Sequence, residues 1–289
     1  MKTQPTSLNL NNQPKQHKKR FLLPVLAAFG SLFLSTGASY AADAYVGAWR
    51  QGSDAYALYS YNSWDKFTEK WKELAQQNLR LVDIEVEKKG NQTQYYGVWR
   101  KGSDAYALYR YDSWDKFTNK WKELAQQNLR LVDIEVEKIG NKTFYYGVWR
   151  KGSDAYALYG IDSWSKFTDK WQELAQKNLR LVDIEVEKIG NKTFYYGVWR
   201  EGSDAYALYR YDTWGEFTNK WKELGKQNLR LVDVEPVKIG NKTHYFGVWR
   251  KGSDAHALYL YKNWNDFINK WKELNQKNLR LTDFGVVHD

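Results

Sequence analysis

A block of 50 residues recurs five times in this chain, and that recurrence limits the fold more than any other feature. Gly-x-Trp-Arg starts at Gly47, Gly97, Gly147, Gly197 and Gly247. Gly-Ser-Asp-Ala starts at Gly52, Gly102, Gly152, Gly202 and Gly252. Leu-Arg-Leu-x-Asp starts at Leu79, Leu129, Leu179, Leu229 and Leu279. A unit of about 50 residues with no disulfide or metal is marginal alone. Stacked copies must therefore cover one another's apolar faces. The copies run at about 45–94, 95–144, 145–194, 195–244 and 245–289.

The local pattern of one copy reads strand, strand, helix, strand. Segments such as Thr143 to Arg150 are aromatic and β-branched, which suits a strand. Lys101 to Asp104 is a turn cluster, and Ala105 to Tyr111 alternates as a second strand. Ser113 to Gln127 carries Trp114, Phe117, Trp121 and Leu124 at helical spacing, so these four share one face. Ser113 is placed as the N-cap, as are Ser63, Ser163, Thr213 and Asn263. Asn128 stands where a helix end tolerates a left-handed residue. Leu129 to Lys138 reads as the third strand, and Gly140-Asn141-Lys142 turns into the next copy.

The expected architecture is an α+β repeat protein of five such units. Its strands form a curved or closed inner sheet, with helices outside. The array opens on a first-strand segment at Tyr45 and closes on a third-strand segment at Leu279. The last strand can then pair with the first and close a ring. Pro236 and Gly285 argue the other way, because both disturb the third strand.

The N-terminus reads as a targeting signal. Lys2, Lys15, Lys18, Lys19 and Arg20 precede an apolar stretch from Phe21 to Leu34, and Ser39-Tyr40-Ala41 suits cleavage. Residues 1–41 are thus expected to be a signal peptide and 42–289 a single exported array, periplasmic or extracellular. The apolar run is shorter than a spanning helix needs, so no stable membrane span is expected after cleavage. The signal holds five basic groups and no acid, so the net charge of +10 falls to +5 without it. Nucleic acid loses most of its support as a partner. With no Cys in the sequence, disulfides, thiolate catalysis and Cys-ligated zinc are excluded.

Gly-Val-Trp, the Gly-Ser-Asp turn, the Trp-x-x-Phe and Trp-x-x-Leu helix and Leu-Arg-Leu-Val-Asp together resemble the bacterial tandem repeat domain family. Similar repeats form the N-terminal region of fungal polyglycine hydrolases and of some bacterial fusions to a β-lactamase-like serine hydrolase. The resemblance covers residues 45–289. It implies an accessory or binding array, and no hydrolase domain is present to carry catalysis.

The residues themselves give little sign of an enzyme. Ser-x-x-Lys occurs at Ser63, Ser113 and Ser163, but Thr213 and Asn263 replace the serine, so capping is what all five copies share. His17, His244, His256 and His288 do not recur, which argues against a zinc or catalytic site. Asn-x-Thr at Asn91, Asn141, Asn191 and Asn241 reads as a hairpin turn rather than a glycan acceptor. Asp83 and Glu85 recur as acids, and Asp83 is assigned a partner in Arg80 or Arg50. One Asp per turn at Asp54 and its copies is too sparse for calcium. No cofactor and no metal are expected.

The 15 Trp supply the functional question. Two per copy lie on the helix and read as core. The third, Trp49, Trp99, Trp149, Trp199 or Trp249, lies on a strand beside a glycine notch. It is either core as well or an aromatic platform for flat sugar rings or peptide. The candidate ligand-binding set is those five Trp with Arg50, Arg100, Arg150, Arg200 and Arg250 and with Asp54, Asp104, Asp154, Asp204 and Asp254. The function expected is non-catalytic, multivalent binding of polysaccharide, peptidoglycan or envelope protein. The alternatives are a self-assembling envelope scaffold and an accessory-domain relative of a serine hydrolase without its catalytic domain.

Overall fold

The computed structural model describes residues 44–287. The candidate signal peptide, His17 and His288 lie outside the described residues. The elements in order are β1 (Ala44–Gln51), β2 (Tyr56–Tyr61), α1 (Trp64–Gln76), β3 (Leu79–Lys89), β4 (Gln92–Lys101) and β5 (Tyr106–Tyr111). Then follow α2 (Trp114–Gln126), β6 (Leu129–Ile139), β7 (Lys142–Lys151), β8 (Tyr156–Ile161), α3 (Trp164–Gln176), β9 (Leu179–Ile189) and β10 (Lys192–Glu201). The last are β11 (Tyr206–Tyr211), α4 (Trp214–Lys226), β12 (Leu229–Ile239), β13 (Lys242–Lys251), β14 (His256–Tyr261), α5 (Trp264–Gln276) and β15 (Leu279–Val287). The molecule is the expected α+β protein of five strand–strand–helix–strand units.

The helices start and stop where the local chemistry directs. Ser113, Ser163, Thr213 and Asn263 each accept the N–H three residues on, which satisfies a donor the helix leaves free. Ser63 holds the same extended backbone but makes no such bond. Each helix ends on an asparagine with φ between 55 and 58°, from Asn78 to Asn278. Asparagine tolerates that left-handed turn.

The strands do not form one continuous inner sheet. They form five antiparallel three-stranded sheets, ordered β2-β4-β3, β5-β7-β6, β8-β10-β9, β11-β13-β12 and β14-β1-β15. The central strand of each sheet is the first strand of the following copy. The chain's own first strand completes the last sheet, with Tyr45 opposite both Tyr261 and Val286. The two ends of the array therefore meet and close a ring of five blades, each with its helix.

The third strands lie next to the axis and contact one another around it: β3 with β6, β6 with β9, β9 with β12, β12 with β15, and β15 with β3. Each helix fills the wedge between two successive sheets. The core between the first two blades shows how. Phe67 and Leu74 of α1, with Leu81, Ile84, Tyr95 and Trp99 of its own sheet, pack against Leu108, Tyr146 and Val148 of the next. The central strand is thus covered on both faces, which is why Tyr145 through Trp149 are all buried.

A β-bulge sets the phase of the third strand. In β3 the pairing with β4 jumps between Leu81 and Asp83, so Val82 is the extra residue. After the bulge Ile84 and Val86 join Leu81 in the core, and Asp83 and Glu85 turn toward the axis.

Candidate functional site

The strand tryptophans are core. Trp49, Trp99, Trp149, Trp199 and Trp249 are at most 1% exposed. A Cβ on Gly147 would sit 2.4 Å from the Trp149 ring. The indole itself fills the expected notch, so the platform reading is corrected: no ring face is open to a sugar. The helical Trp are the less buried set. Trp64 and Trp71 are half-buried and reach across to Tyr146 at 5.3 Å and Tyr106 at 5.0 Å on the next blade.

The predicted Arg and Asp are brought together, but as a clasp. Arg100 binds Asp54 through Nε at 2.8 Å and Nη2 at 2.6 Å. Arg150 binds Asp104, Arg200 binds Asp154 and Arg250 binds Asp204 in the same two-pronged way. Arg50 binds Asp254 at 3.0 and 2.5 Å, pinning β1 into the last sheet. The Arg150 hydrogen bond holds the Asp104 carboxyl below its ordinary range. Bidentate pairing spends the donors a ligand would need. Arg80 adds a second fastening the sequence did not reveal. Its Nε donates to the Asp104 carbonyl at 2.8 Å, its Nη1 to the helix-end carbonyl of Ala75 at 3.0 Å, and it stacks 4.2 Å over Tyr106.

Asp83 pairs with neither Arg80 nor Arg50. It belongs to an axial column of acids. Asp83, Asp133, Asp183, Asp233 and Asp283 with Glu85, Glu135, Glu185 and Glu235 line a cavity with about 10 Å³ of free space, roughly room for one water. Most of these groups cap the bare edge of the neighbouring third strand. Ile84 N donates to Asp133 Oδ2 at 3.2 Å, Ile134 N to Asp183 at 3.1 Å, Ile184 N to Asp233 at 3.3 Å and Val234 N to Asp283 at 2.7 Å. Glu135, Glu185 and Glu85 accept likewise from Val86, Val136 and Val286. An edge strand's buried N–H needs a partner, and these carboxyls supply it. Asp83 Oδ2 has no hydrogen-bond partner.

Burial drives these acids toward the neutral form, and their neighbours reinforce it. Asp83, Asp133, Asp233, Asp283 and the four glutamates are raised well above their ordinary range. Asp183 is the exception among them: burial lifts it to about 7, while the Ile134 N–H and hydrogen bonds to Asp133 and Asp233 pull it down. Glu137 and Glu187, farther along the strands, are pushed by burial to about 8 and about 7.

Pro236 and Gly285 stand in this column and explain each other. Pro236 occupies the place of Val86 and has no N–H to donate. Gly285 occupies the place of Glu85 and has no carboxyl to accept. A Cβ on Gly285 would lie 2.4 Å from Pro236 Cδ. Donor and acceptor are deleted together, and the proline ring takes the vacated space.

Two features are open to solvent. Arg50, Gln51, Arg100, Asp254 and Thr282 line an open cavity of about 430 Å³ where the last blade meets the first. On the outer strands, Tyr109, Tyr159, Tyr209 and Tyr259 are 37–38% exposed, and Tyr59 is half-buried. A lysine stands 4.8–5.1 Å over each ring: Lys70, Lys120, Lys170, Lys220 and Lys270. Each lysine also pairs with a glutamate three residues on, as Lys120 does with Glu123 at 2.5 Å.

The model of the polyglycine hydrolase-like structural repeat matches residues 53–102, 103–152, 152–202 and 203–252. The chain belongs to this family. Each matched stretch spans one blade, from the Ser-Asp turn through β2, α1, β3 and β4 in the first case, so the family's repeat is the structural blade. No curated protein matches the chain.

Proposed function

We propose that the repeat array is an exported, non-catalytic binding ring that takes polysaccharide or peptidoglycan on five perimeter sites. Each site centres on one outer tyrosine: Tyr59, Tyr109, Tyr159, Tyr209 or Tyr259. The observation that carries this reading is that these rings, unlike the strand Trp, are partly open to solvent, each with the lysine of a Lys–Glu pair over it. A partly exposed tyrosine with a lysine donor over it and a glutamate acceptor paired to that lysine suits the hydroxyls and the apolar ring of a sugar. Five rigidly held weak sites gain avidity without further contacts. Export is supported by the basic, apolar and small-residue order of residues 1–41. Repetition of each polar group in five similar settings favours binding over catalysis.

Pull-down of the chain on peptidoglycan and polysaccharides tests the reading, with tryptophan emission as a second signal. Trp149 lies 6.0 Å from Tyr109, so an occupied site changes its emission. The five-fold Tyr→Ala variant is expected to lose retention while keeping its circular dichroism. Retention of that variant equal to the parent, or no retention of the parent on any glycan, contradicts the proposal. A scaffold reading has one observation in its favour: each sheet ends on an outer strand with no strand partner on its far side. A defined oligomer in light scattering would favour it.

A further inference from the structure

At four of the five seams a tyrosine of one blade lies between a helix tryptophan and an arginine of the blade before it. Tyr106 meets Trp71 at 5.0 Å and carries Arg80 at 4.2 Å over its ring, and Tyr156, Tyr206 and Tyr56 are held the same way. The seam between the fourth and fifth blades holds His256 instead. Its ring lies 4.6 Å from that of Trp221 on α4. Gly225 takes the place of Ala75 beside it, where a Cβ would come within 3.0 Å of the imidazole. Arg230 keeps the bonds of Arg80, to the Asp254 carbonyl at 2.6 Å and the Gly225 carbonyl at 3.0 Å, so its cation stays beside the ring. Nδ1 of His256 is buried and has no hydrogen-bond partner. This seam also lacks the third-strand hydrogen bond that Pro236 and Gly285 delete.

We propose that His256 is an acid-sensitive latch: its protonation below neutral pH selectively loosens the seam between the fourth and fifth blades. A neutral ring accepts a guanidinium against its face, whereas an imidazolium repels it. Protonation also turns both ring nitrogens into donors, and the Nδ1–H is then buried without an acceptor. The charged groups that act on the ring come from three segments. Arg230 of β12 and Arg50 of β1 oppose its charge, and Asp254 of the turn before β14 favours it. Asp254 is already spent on Arg50 through both oxygens. From α4 the ring meets Trp221 and Gly225, neither of them charged. Burial, reinforced by Arg230, holds His256 below its ordinary range. The folded state therefore binds fewer protons here than the unfolded chain, and the seam weakens as pH falls. A tyrosine side chain never becomes a cation, so the other four seams carry no such latch.

Hydrogen exchange at pH 7 and pH 5, corrected for intrinsic rates, tests the proposal on the whole chain. Amides of α4 and β14 are expected to lose protection at pH 5 relative to those of α2 and β8, the equivalent pair between the second and third blades. The loss should be about threefold for each half pH unit by which His256, followed by NMR titration, titrates below its value in the unfolded chain. The axial carboxyls act in the opposite sense, and comparing the two seams separates them from the latch. His256→Tyr installs the residue that the other seams carry, so it should fold as the parent does and show no selective loss. The proposal is overturned by a His256 pKa at or above about 6.5, by no selective loss at α4 and β14, or by the same selective loss in His256→Tyr.

Discussion

At the residue scale, the two aromatic classes trade the places their sequence positions suggest. A strand of Tyr, Gly and Trp reads as a surface platform when one face is taken to be open. The central position of that strand in its sheet covers both faces, and no pattern within one copy reveals which sheet the strand will join. Truncating a fully buried indole leaves a large cavity, so Trp149→Ala is expected to cost about 3–5 kcal/mol in denaturant unfolding. Tyr109→Ala, at an exposed ring, is expected to stay within about 0.5 kcal/mol of the parent. Equal losses for the two variants would contradict the burial described. The caps and the left-handed asparagines were legible, because their chemistry acts within a few residues of the chain. The Arg–Asp clasp was half legible: the right residues were singled out, but their bidentate geometry joins one copy to the next and leaves little for a ligand.

At the scale of elements, the third strand is the part that sequence reasoning misread. Alternation predicts one buried and one open face from Leu79 onward. The bulge at Val82 shifts the phase by one residue and sends Asp83 and Glu85 to the axis, so Asp83 does not meet the arginine assigned to it. A bulge leaves no composition signal when the extra residue is a valine among valines. The Pro236 and Gly285 pair makes a sharp test of how neighbouring third strands are joined. Pro236→Val restores an N–H with no acceptor, and Gly285→Glu drives a side chain into the proline ring. Each single change should destabilise the chain. The double change restores the donor and acceptor found between the other blades. Coupling of about 1–3 kcal/mol in a double-mutant cycle is expected, and simple additivity would show that the two sites act independently.

At the scale of the whole molecule, the repeat period and the unpaired strands at its two ends made closure a readable expectation. The frame of the blade was not readable, because each sheet borrows its middle strand from the following copy. Closure also concentrates acid on the axis, and stability should follow pH accordingly. Glu137 and Glu187 titrate higher in the fold than in the unfolded chain, so between the two values the folded state holds more protons. Their contribution is complete below about pH 4.5 and is lost as pH rises through about 7 and 8, at up to about 1.4 kcal/mol per pH unit for each group. Asp104 and its copies act in the opposite sense, losing their clasp only in strong acid. Calorimetric Tm should therefore fall from pH 5.5 to pH 9, and a Tm that rises over this span would contradict the axial burial. The central claim is that β1 closes the ring as the middle strand of the last sheet. Hydrogen exchange on the isolated monomer measures it directly. The account predicts that amides of residues 44–51 are protected as strongly as those of β7, the equivalent strand of the second blade. Exchange of that segment at the rate of a free tail, with β7 still protected, would show an open array.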